Sequence, residues 1–254
     1  AEVRPDVVYH LAGQADVAAS WLSPIETMRV NVEGTHNILE VARTFGVAKV
    51  LTVSSADIYG VVAPEELPIV ESAPLRPVSP YAASKAAADL VALQAHLGHG
   101  QDVVRARAFN HLGPGQSKSF VGAGFAARIV AAERSGDDEL QTGDLTPRRD
   151  FTDVRDVVRA YRLLATEGRP GVAYNICSGT SVSIGELAGL LLGLTDARMR
   201  LVEDPDLLRP VELPELRGDA SLLRRHTGWA PSISLDETLS DVLEDWRLRL
   251  TEAQ

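Results

Sequence analysis

Val50-Leu51-Thr52-Val53, which runs directly into Ser54-Ser55, is the stretch from which the fold can be read. It is a short run of apolar and β-branched residues, typical of a strand that is buried on both faces. Two similar runs flank it along the chain, at Val7 to Leu11 and at Val103 to Phe109. Because longer helical patterns separate the three runs, the sequence predicts a parallel sheet covered by helices.

Helices are predicted in the intervals between these strands. The first runs from Ile25 to Phe45, and its inner face is expected to carry Val30, Ile38, Leu39 and Val41. The second is an Ala-rich helix from Tyr81 to about Leu97, preceded by a loop rich in proline. Later elements are predicted as a helix, an extended piece, a strand and a helix, at 125–135, 150–154, 172–177 and 184–194.

Charge and composition exclude several classes of function. The net charge of -10 repels polyanions, so we expect no nucleic-acid partner. The apolar helical stretch Leu187 to Leu194 is far shorter than the roughly 20 residues that span a bilayer, so no membrane segment is expected. The single cysteine, Cys177, and the absence of a signal peptide indicate a reducing, cytoplasmic setting. The scattered histidines lack the spacing of metal ligands, so no metal site is predicted.

Three polar side chains mark the place where chemistry is expected. Ser55 ends the strand, and ligands of α/β sheets bind beyond the carboxyl ends of strands. Tyr81 and Lys85 are four residues apart at the start of the next helix, so they share one helix face. A nearby ammonium would lower the phenol pKa and help Tyr81 exchange a proton near neutrality. Ser55 would then hold the carbonyl oxygen that Tyr81 protonates.

Nine motifs occur along the chain in the order that one enzyme family has them. They are HLAGQADVAAS, NVEGTHNIL, SSADIYG, SPYAASK, FNHLGPGQ, RRDFTDVRDV, YNICSG, RPVELPELRGD and TGWAP. With these the sequence resembles the extended short-chain dehydrogenases/reductases, the NAD-dependent epimerase/dehydratase family. The resemblance is nearest to its GDP-4-dehydro-6-deoxy-D-mannose reductases. It implies NAD(P)H-dependent reduction of the 4-keto group of a nucleotide-linked 6-deoxyhexose, with a 4,6-dehydratase or epimerase as the alternative.

The resemblance also implies a fold, a cofactor site and a homodimer. The fold is a doubly wound, Rossmann-like parallel sheet with a smaller α/β lobe. Residues 1–109 and 150–179 would bind the dinucleotide, and residues 110–149 and 180–254 the nucleotide sugar. The small side chains after Tyr81 would let two subunits pair through this helix and the helix near Thr35. Cofactor contacts would come from Leu11, Ala12, Gly13, Asn31, Ser54, Tyr81, Lys85 and His111.

In the family, Tyr81 would be the general acid, Lys85 would bind the cofactor ribose, and Ser55 would orient the keto oxygen. Asp57 separates the family's activities, since dehydratases have a Glu at this position as the base for water elimination. Asp has a shorter reach, so we favour Asp57 as a group that binds a sugar hydroxyl and leave the base role as the alternative. His111 would touch the nicotinamide or serve a structural role.

The nucleotide-sugar end is implied by polar residues of the second half. Arg149 and Arg209 lie where relatives bind the pyrophosphate, which a guanidinium matches bidentately. Glu212 would accept the ribose hydroxyls, and Asn110 would meet the phosphate or the sugar. The FNHLGPGQ and RPVEL motifs favour a GDP-linked substrate.

The sequence departs from the family at its beginning. No Gly-rich turn precedes Asn31, although a dinucleotide fold normally opens with one. We therefore expect an N-terminally incomplete dinucleotide domain that lacks the first βαβ unit. The residues that distinguish NAD from NADP belong to that unit, so the cofactor is predicted as NAD(P). A pseudoenzyme that binds nucleotide sugars without catalysis is the alternative from another class.

Overall fold

The four apolar runs of the sequence become the strands of one parallel sheet in this computed structural model, which describes residues 3–196, 198–207 and 211–252. The strands of the chain are β1 (Val7–His10), β2 (Lys49–Ser55), β3 (Val103–Ala108), β4 (Asn110–Leu112), β5 (Glu139–Thr142), β6 (Arg148–Arg149), β7 (Phe151–Asp153), β8 (Ala173–Ile176), β9 (Val182–Ser183), β10 (Arg200–Glu203) and β11 (Glu215–Leu216). The helices are α1 (Val17–Leu22), α2 (Pro24–Met28), α3 (Gly34–Thr44), α4 (Pro80–His99), α5 (Val121–Ser135), α6 (Val154–Glu167), α7 (Ile184–Gly193), α8 (Ser221–Thr227) and α9 (Leu235–Glu252).

The main sheet has the strand order β1-β2-β3-β8, with every neighbouring pair parallel. Leu51 is paired with Tyr9 on one side and with Val104 on the other. Leu51 and Val104 are completely buried, as expected of strands covered on both faces. The predicted α/β class with a central parallel sheet is confirmed.

Alternate residues of the strands pack into two apolar cores, one on each face of this sheet. Val50 and Val103 pack with Leu39 of α3 and with alanines of α4. Leu51 and Val104 pack on the other face with residues of α6 and α8. This period of two is the geometry of a β-strand, and it places α3 and α4 together on one side of the sheet.

A second body of structure is built around its own apolar core. Residues of α5, α7, α9 and β5 form this core, and Phe125 and Leu187 are among its fully buried members. Small sheets β5–β10, β4–β7 and β6–β9–β11 surround it. The sequence assigned all of 180–254 to the lobe, but Leu213 and Trp229 pack in the core of the main sheet. These residues of the predicted lobe therefore contact the main sheet, because the chain returns to the sheet before α9 begins.

The predicted helix from Ile25 to Phe45 contains a π-helical turn at Arg29–Glu33, between α2 and α3. Val30 and Val41, expected on the inner face, are 38% and 55% exposed. Leu39 is buried as predicted and Ile38 is half-buried, and the inner face also carries the buried residues Thr27, Asn31, Thr35 and Ala42. Apolar periodicity was wrong at Val30 and Val41 because polar side chains are turned inward there, and π-turns of this kind are frequent at functional sites.

The alanines of α4 have a different role from the one predicted. Ala82, Ala86, Ala88 and Ala92 are buried within this chain. Helix α4 packs against β2, β3, α1 and α2, and small side chains allow that close approach. These four alanines therefore do not provide a surface for a second subunit.

Candidate active site

Helix α4 begins at a position that the sequence defines closely. The Ser79 hydroxyl accepts a hydrogen bond from the Ala82 amide at 3.1 Å, and Pro80 occupies the first helical position. Tyr81 therefore lies in the first turn, where its own amide donates to the Ser20 hydroxyl at 3.1 Å. The cap and the α1 contact together fix Tyr81 beside the carboxyl end of β2.

The Tyr81 phenol is buried, with 8% of the residue exposed. Burial and the negative charge of Asp57 raise its pKa, and a hydrogen bond with the Ser55 side chain opposes them. The sequence predicted a pKa lowered by Lys85, and that prediction is wrong because burial outweighs every other influence on this phenol. Tyr81 thus keeps its proton at neutral pH, which is the state that a proton donor requires.

Lys85 lies one turn further along α4 and points at the sheet. Its ammonium donates a hydrogen bond to the Val53 carbonyl at 2.9 Å. Burial lowers the pKa of Lys85 to about 8. The side chain is therefore cationic at neutral pH, close to its point of titration.

Asn31 lies in the π-helical turn and joins three parts of the site. Its side-chain oxygen accepts from the Gln14 amide at 2.8 Å, and its amide group donates to the Gln14 carbonyl at 3.0 Å. The same amide group donates to the Ser84 hydroxyl at 2.8 Å, which in turn donates to the Tyr81 carbonyl at 2.7 Å. The sequence analysis did not single out Ser84, although it lies inside the SPYAASK motif.

The predicted cofactor residues lie at the carboxyl end of β1. Leu11, Ala12 and Gly13 are exposed there. A Cβ added at Gly13 would lie 2.9 Å from the Asn31 side-chain oxygen and 3.5 Å from the Lys85 ammonium. Gly13 thus leaves open a space that is bordered by Asn31 and Lys85.

Two of the predicted cofactor contacts have local partners. The Ser54 hydroxyl donates to the Lys85 carbonyl at 3.2 Å, so it holds α4 against β2. His111 Nδ1 lies 3.1 Å from the Phe109 carbonyl, and burial lowers the pKa of this imidazole. His111 is therefore neutral at physiological pH.

Asp57 belongs to a short 3₁₀ turn, Ala56–Tyr59, that follows β2. The Asp57 amide donates to the Ser55 hydroxyl oxygen at 3.2 Å, and the Ser55 side chain is also hydrogen-bonded with Tyr81. The Asp57 carboxylate is half-buried and close enough to Tyr81 to raise the pKa of the phenol. Ser55, Asp57 and Tyr81 therefore form one cluster.

Three of the predicted nucleotide-sugar residues, Asn110, Arg149 and Glu212, lie on or beside the small sheets. Arg149 is buried and donates to the Glu212 carboxylate at 2.5 Å and to the Leu213 carbonyl at 2.7 Å. Asn110 is half-buried on β4, where it pairs in register with Phe151. Arg209 lies outside the described residues. The structure thus brings Arg149 and Glu212 into direct contact.

A cleft of about 340 Å³ opens beside Arg149. It is bordered by β6, β7, the loop after β8 and the segment before α9, and its lining includes Phe151, Thr152, Ser178 and Val182. Arg149 lines this cleft, and its guanidinium is paired with the Glu212 carboxylate and the Leu213 carbonyl.

Within residues 3–196, 198–207 and 211–252, no group of three or more His, Cys, Asp or Glu side chains is arranged to hold a metal ion. None of the helices described there has the length and apolar character needed to cross a membrane.

Comparison with known proteins gives consistent matches along the chain. The family model described as GDP-mannose 4,6 dehydratase matches residues 1–242. GDP-6-deoxy-D-mannose reductase of Pseudomonas aeruginosa is 41% identical, covering 98% of this chain and 82% of that protein. The dTDP-glucose 4,6-dehydratase of Streptomyces griseus is 36% identical, covering 92% of this chain and 70% of that protein.

A solved structure shares the same arrangement of strands and helices. The structure of RMD from Pseudomonas aeruginosa complexed with NADPH superimposes with a TM-score of 0.90 at 40% identity. The match covers 97% of this chain and 82% of that one.

Proposed function

The chain belongs to the GDP-mannose 4,6-dehydratase family, within the short-chain dehydrogenases/reductases whose motifs it carries, and from this we propose that it is an NAD(P)H-dependent reductase of a 4-keto sugar nucleotide. Its proposed substrate is a GDP-linked 4-keto-6-deoxyhexose. The observation that carries the proposal is the buried, protonated Tyr81 phenol beside Ser55. Reduction of a ketone needs one proton at the carbonyl oxygen, and this hydroxyl can supply it.

The proposed cofactor, NAD(P)H, supplies the hydride when it is bound. Leu11, Ala12 and Gly13 would lie along it, and the space beside Gly13 fits a group that Lys85 and Asn31 can contact. The Lys85 ammonium is held in place by the Val53 carbonyl and keeps two donor hydrogens for other partners. Because it is cationic below a pH of about 8, it can bind hydroxyl oxygens of a ribose.

Tyr81 and Ser55 would divide the work at the keto oxygen. The Ser55 hydroxyl already accepts a bond from the Asp57 amide, so its proton can be donated to the substrate oxygen and hold it in line with Tyr81. Tyr81 would then give its proton to the alkoxide that forms as the carbonyl is reduced. The raised pKa of the phenol keeps Tyr81 protonated until its proton is transferred to the alkoxide oxygen.

We propose that Asp57 binds a sugar hydroxyl and does not act as a base. Elimination and epimerisation both need a base over the sugar ring, and the short Asp57 side chain is followed by Tyr59 in a tight 3₁₀ turn that restricts its position. The test compares purified wild type and Asp57→Asn. We expect the wild type to reduce a GDP-linked 4-keto-6-deoxyhexose and Asp57→Asn to keep most of that activity. Conversion of GDP-mannose to the 4-keto-6-deoxy product with oxidised cofactor would instead make Asp57 a dehydratase base.

We propose that the nucleotide end of the substrate lies at Arg149, Arg209, Glu212 and Asn110. Support comes from the Arg149–Glu212 contact and from the cleft of about 340 Å³ that Arg149 lines. Calorimetry of Arg209→Ala should show nucleotide-sugar binding weakened by about 1.5 to 3 kcal/mol, the usual worth of a charged hydrogen bond. Tighter binding of dTDP or UDP than of GDP would contradict the GDP assignment.

The domain arrangement is proposed on the same basis. Residues 1–109 and 150–179 would bind the dinucleotide, and the lobe built from 110–149 and the end of the chain would bind the nucleotide sugar. The buried Cys177 thiol has no disulfide, and we propose a reducing, cytoplasmic setting.

We propose a homodimer formed through α3 and α4. These helices pack side by side and expose Phe45, Leu90 and Leu97, of which Phe45 and Leu97 are 80% and 74% exposed. Large apolar side chains grouped on an exposed surface are typical of protein interfaces. Light scattering at micromolar concentration should give a dimer, and Leu97→Asp should shift it to the monomer. A monomeric wild type would contradict the proposal.

A further inference from the structure

A cluster of three buried charges lies beneath the helix that carries Tyr81 and Lys85. The Asp89 carboxylate on α4 is completely buried and accepts from Arg105 Nη1 at 2.5 Å. Arg107, two residues further along β3, forms a two-pronged contact with the same carboxylate at 3.2 and 2.8 Å. Both guanidinium groups are buried as well.

Burying such a cluster of charges in the core carries a large desolvation penalty. Buried ion pairs often stabilise a fold no more than apolar side chains of similar size would, although removing one partner is strongly destabilising. Two-pronged contacts between guanidinium and carboxylate do, however, fix the relative position of two elements closely. Asp89 is four residues after Lys85 and eight after Tyr81, so these three residues lie on neighbouring parts of one helix face. The cluster therefore sets the rotation and the height of α4 over β3.

Tyr59 connects this cluster to the turn that carries Asp57. Arg107 Nη1 donates to the Tyr59 hydroxyl at 3.0 Å and to the Glu71 carbonyl at 2.9 Å. The Tyr59 hydroxyl donates in turn to the Asn175 side-chain oxygen at 2.7 Å. Burial raises the pKa of Tyr59 to about 12, so the hydroxyl keeps the proton that this second bond needs.

Tyr59 is the last residue of the 3₁₀ turn Ala56–Tyr59, and Ser55 is the N-cap residue that precedes this turn. A rigid chain of hydrogen bonds thus runs from α4 through Asp89 and Arg107 to the end of this turn. At the α4 end of this series of hydrogen bonds lies Tyr81, the proposed proton donor, and the turn at the other end carries Ser55 and Asp57, which would contact the proposed substrate.

We propose that Tyr59 is a positioning residue, which acts through Arg107 and Asp89 to hold the Ser55–Asp57 turn in register with Tyr81 on α4. The inference rests on the proposed function, because it assigns these groups to one reaction. Tyr59 itself does not touch the substrate. Its loss would separate the keto oxygen from its proton donor by a small distance, and misplacement of about 1 Å can lower turnover by up to about 100-fold.

The chain provides a matched control. Tyr174 is buried in the same core as Tyr59, and its hydroxyl is also hydrogen-bonded, to the Arg169 amide at 3.0 Å and to His226 Nδ1 at 2.7 Å. Those partners lie away from Tyr81. Tyr59→Phe and Tyr174→Phe therefore remove the same group from the same core, and only the first breaks the connection to the site.

We expect Tyr59→Phe to lower kcat by about 10-fold or more with KM nearly unchanged. Tyr174→Phe should leave kcat unchanged, even if it lowers the melting temperature by as much as Tyr59→Phe does. A second pair keeps the test decisive if Tyr59→Phe folds poorly. Arg107→Lys should lower kcat in the same way, whereas Arg155→Lys should not, because the Arg155 guanidinium pairs with Asp153 and Asp241 and takes no part in the Asp89 cluster. Equal losses of kcat within either pair would overturn the proposal.

Amide hydrogen exchange supplies a measurement that does not depend on activity. Exchange in segments 54–60 and 80–89 should be faster in Tyr59→Phe than in the wild type and unchanged in Tyr174→Phe. Unchanged exchange in Tyr59→Phe would contradict the positioning role, whatever the kinetics. A wild type that binds nucleotide sugar but reduces none would refute the proposed function, and the exchange data would still decide the role of Tyr59.

Discussion

Replacing Tyr81 by Phe removes a single hydroxyl from the centre of the site, and we expect it to abolish most turnover while the protein stays folded. The phenol is buried and neutral, and it lies beside the Ser55 hydroxyl that would hold the keto oxygen. Phe keeps the ring, and the Tyr81 amide keeps its bond to Ser20. The change therefore isolates the proton donor from the packing of α4.

The expected kinetic loss is about 10²- to 10⁴-fold in kcat, the usual contribution of a positioned general acid. This corresponds to about 3 to 5 kcal/mol of barrier height. The cost in stability is much smaller, because one buried hydrogen bond contributes about 1 kcal/mol. The Ser55 oxygen still receives the Asp57 amide, so no buried group on Ser55 loses its only partner. For a chain of this size, a loss of about 1 kcal/mol in stability lowers the melting temperature by about 2 to 4 °C.

The assay follows NAD(P)H oxidation with a GDP-linked 4-keto-6-deoxyhexose at saturating concentrations, and calorimetry gives the affinity for the nucleotide sugar. Affinity should stay close to that of the wild type, because the proposed nucleotide contacts lie at Arg149 and Glu212. Tyr174→Phe serves again as the control for loss of a buried tyrosine hydroxyl. If Tyr81→Phe retains more than about a tenth of wild-type turnover, another group donates the proton and the assignment of Tyr81 is wrong.

Three other predictions address the cofactor and nucleotide sides of the site. Because the pKa of Lys85 is lowered to about 8, the ammonium form is lost as pH rises through that value, so kcat/KM for the cofactor should fall above it; a flat profile to pH 10 would contradict this. Gly13→Ala should weaken cofactor binding, measured by fluorescence titration, because its methyl group would lie 2.9 Å from an Asn31 oxygen that hydrogen bonds hold in place; nucleotide-sugar affinity should not change. Arg149→Ala should lower both the melting temperature and the nucleotide-sugar affinity, since it leaves Glu212 without this buried partner; unchanged affinity in calorimetry would remove Arg149 from the site.

In the nucleotide-sugar half of the site, the sequence motifs predicted the residues but not the contacts between them. Arg149 and Glu212 were both predicted there, 63 residues apart in the chain, and the structure pairs them. A motif can place each residue in a family pattern, but it cannot say that an arginine predicted to meet a phosphate already has a carboxylate partner. The Glu212 carboxylate and a ligand phosphate would compete for the Arg149 guanidinium. The tertiary fold decides how many of its donor hydrogens remain available to the ligand.

The sequence alone determined the parallel sheet, because runs such as Val50 to Val53 have the composition and length of strands buried on both faces. It also determined the position of Tyr81 and Lys85 on one helix face, since a spacing of four residues is a local property of the helix. Ser79 and Pro80 supply local signals for the helix start, which is why this part of the site could be predicted without a structure.

Only the tertiary structure decided the electrostatics and the supports of the site. The pKa of Tyr81 depends on how completely the phenol is buried, and burial raised it where the spacing to Lys85 predicted the opposite. The inner face of α2 and α3 was predicted correctly at Leu39 but not at Val30 and Val41, because a π-turn and inward polar residues such as Asn31 break the apolar period. Asp89, Arg107 and Tyr59 come from a helix, a strand and a turn, and their contacts span 18 to 48 residues of chain. Long-range hydrogen bonds of this kind leave no period in the sequence, because they form only after the sheet has brought the elements together.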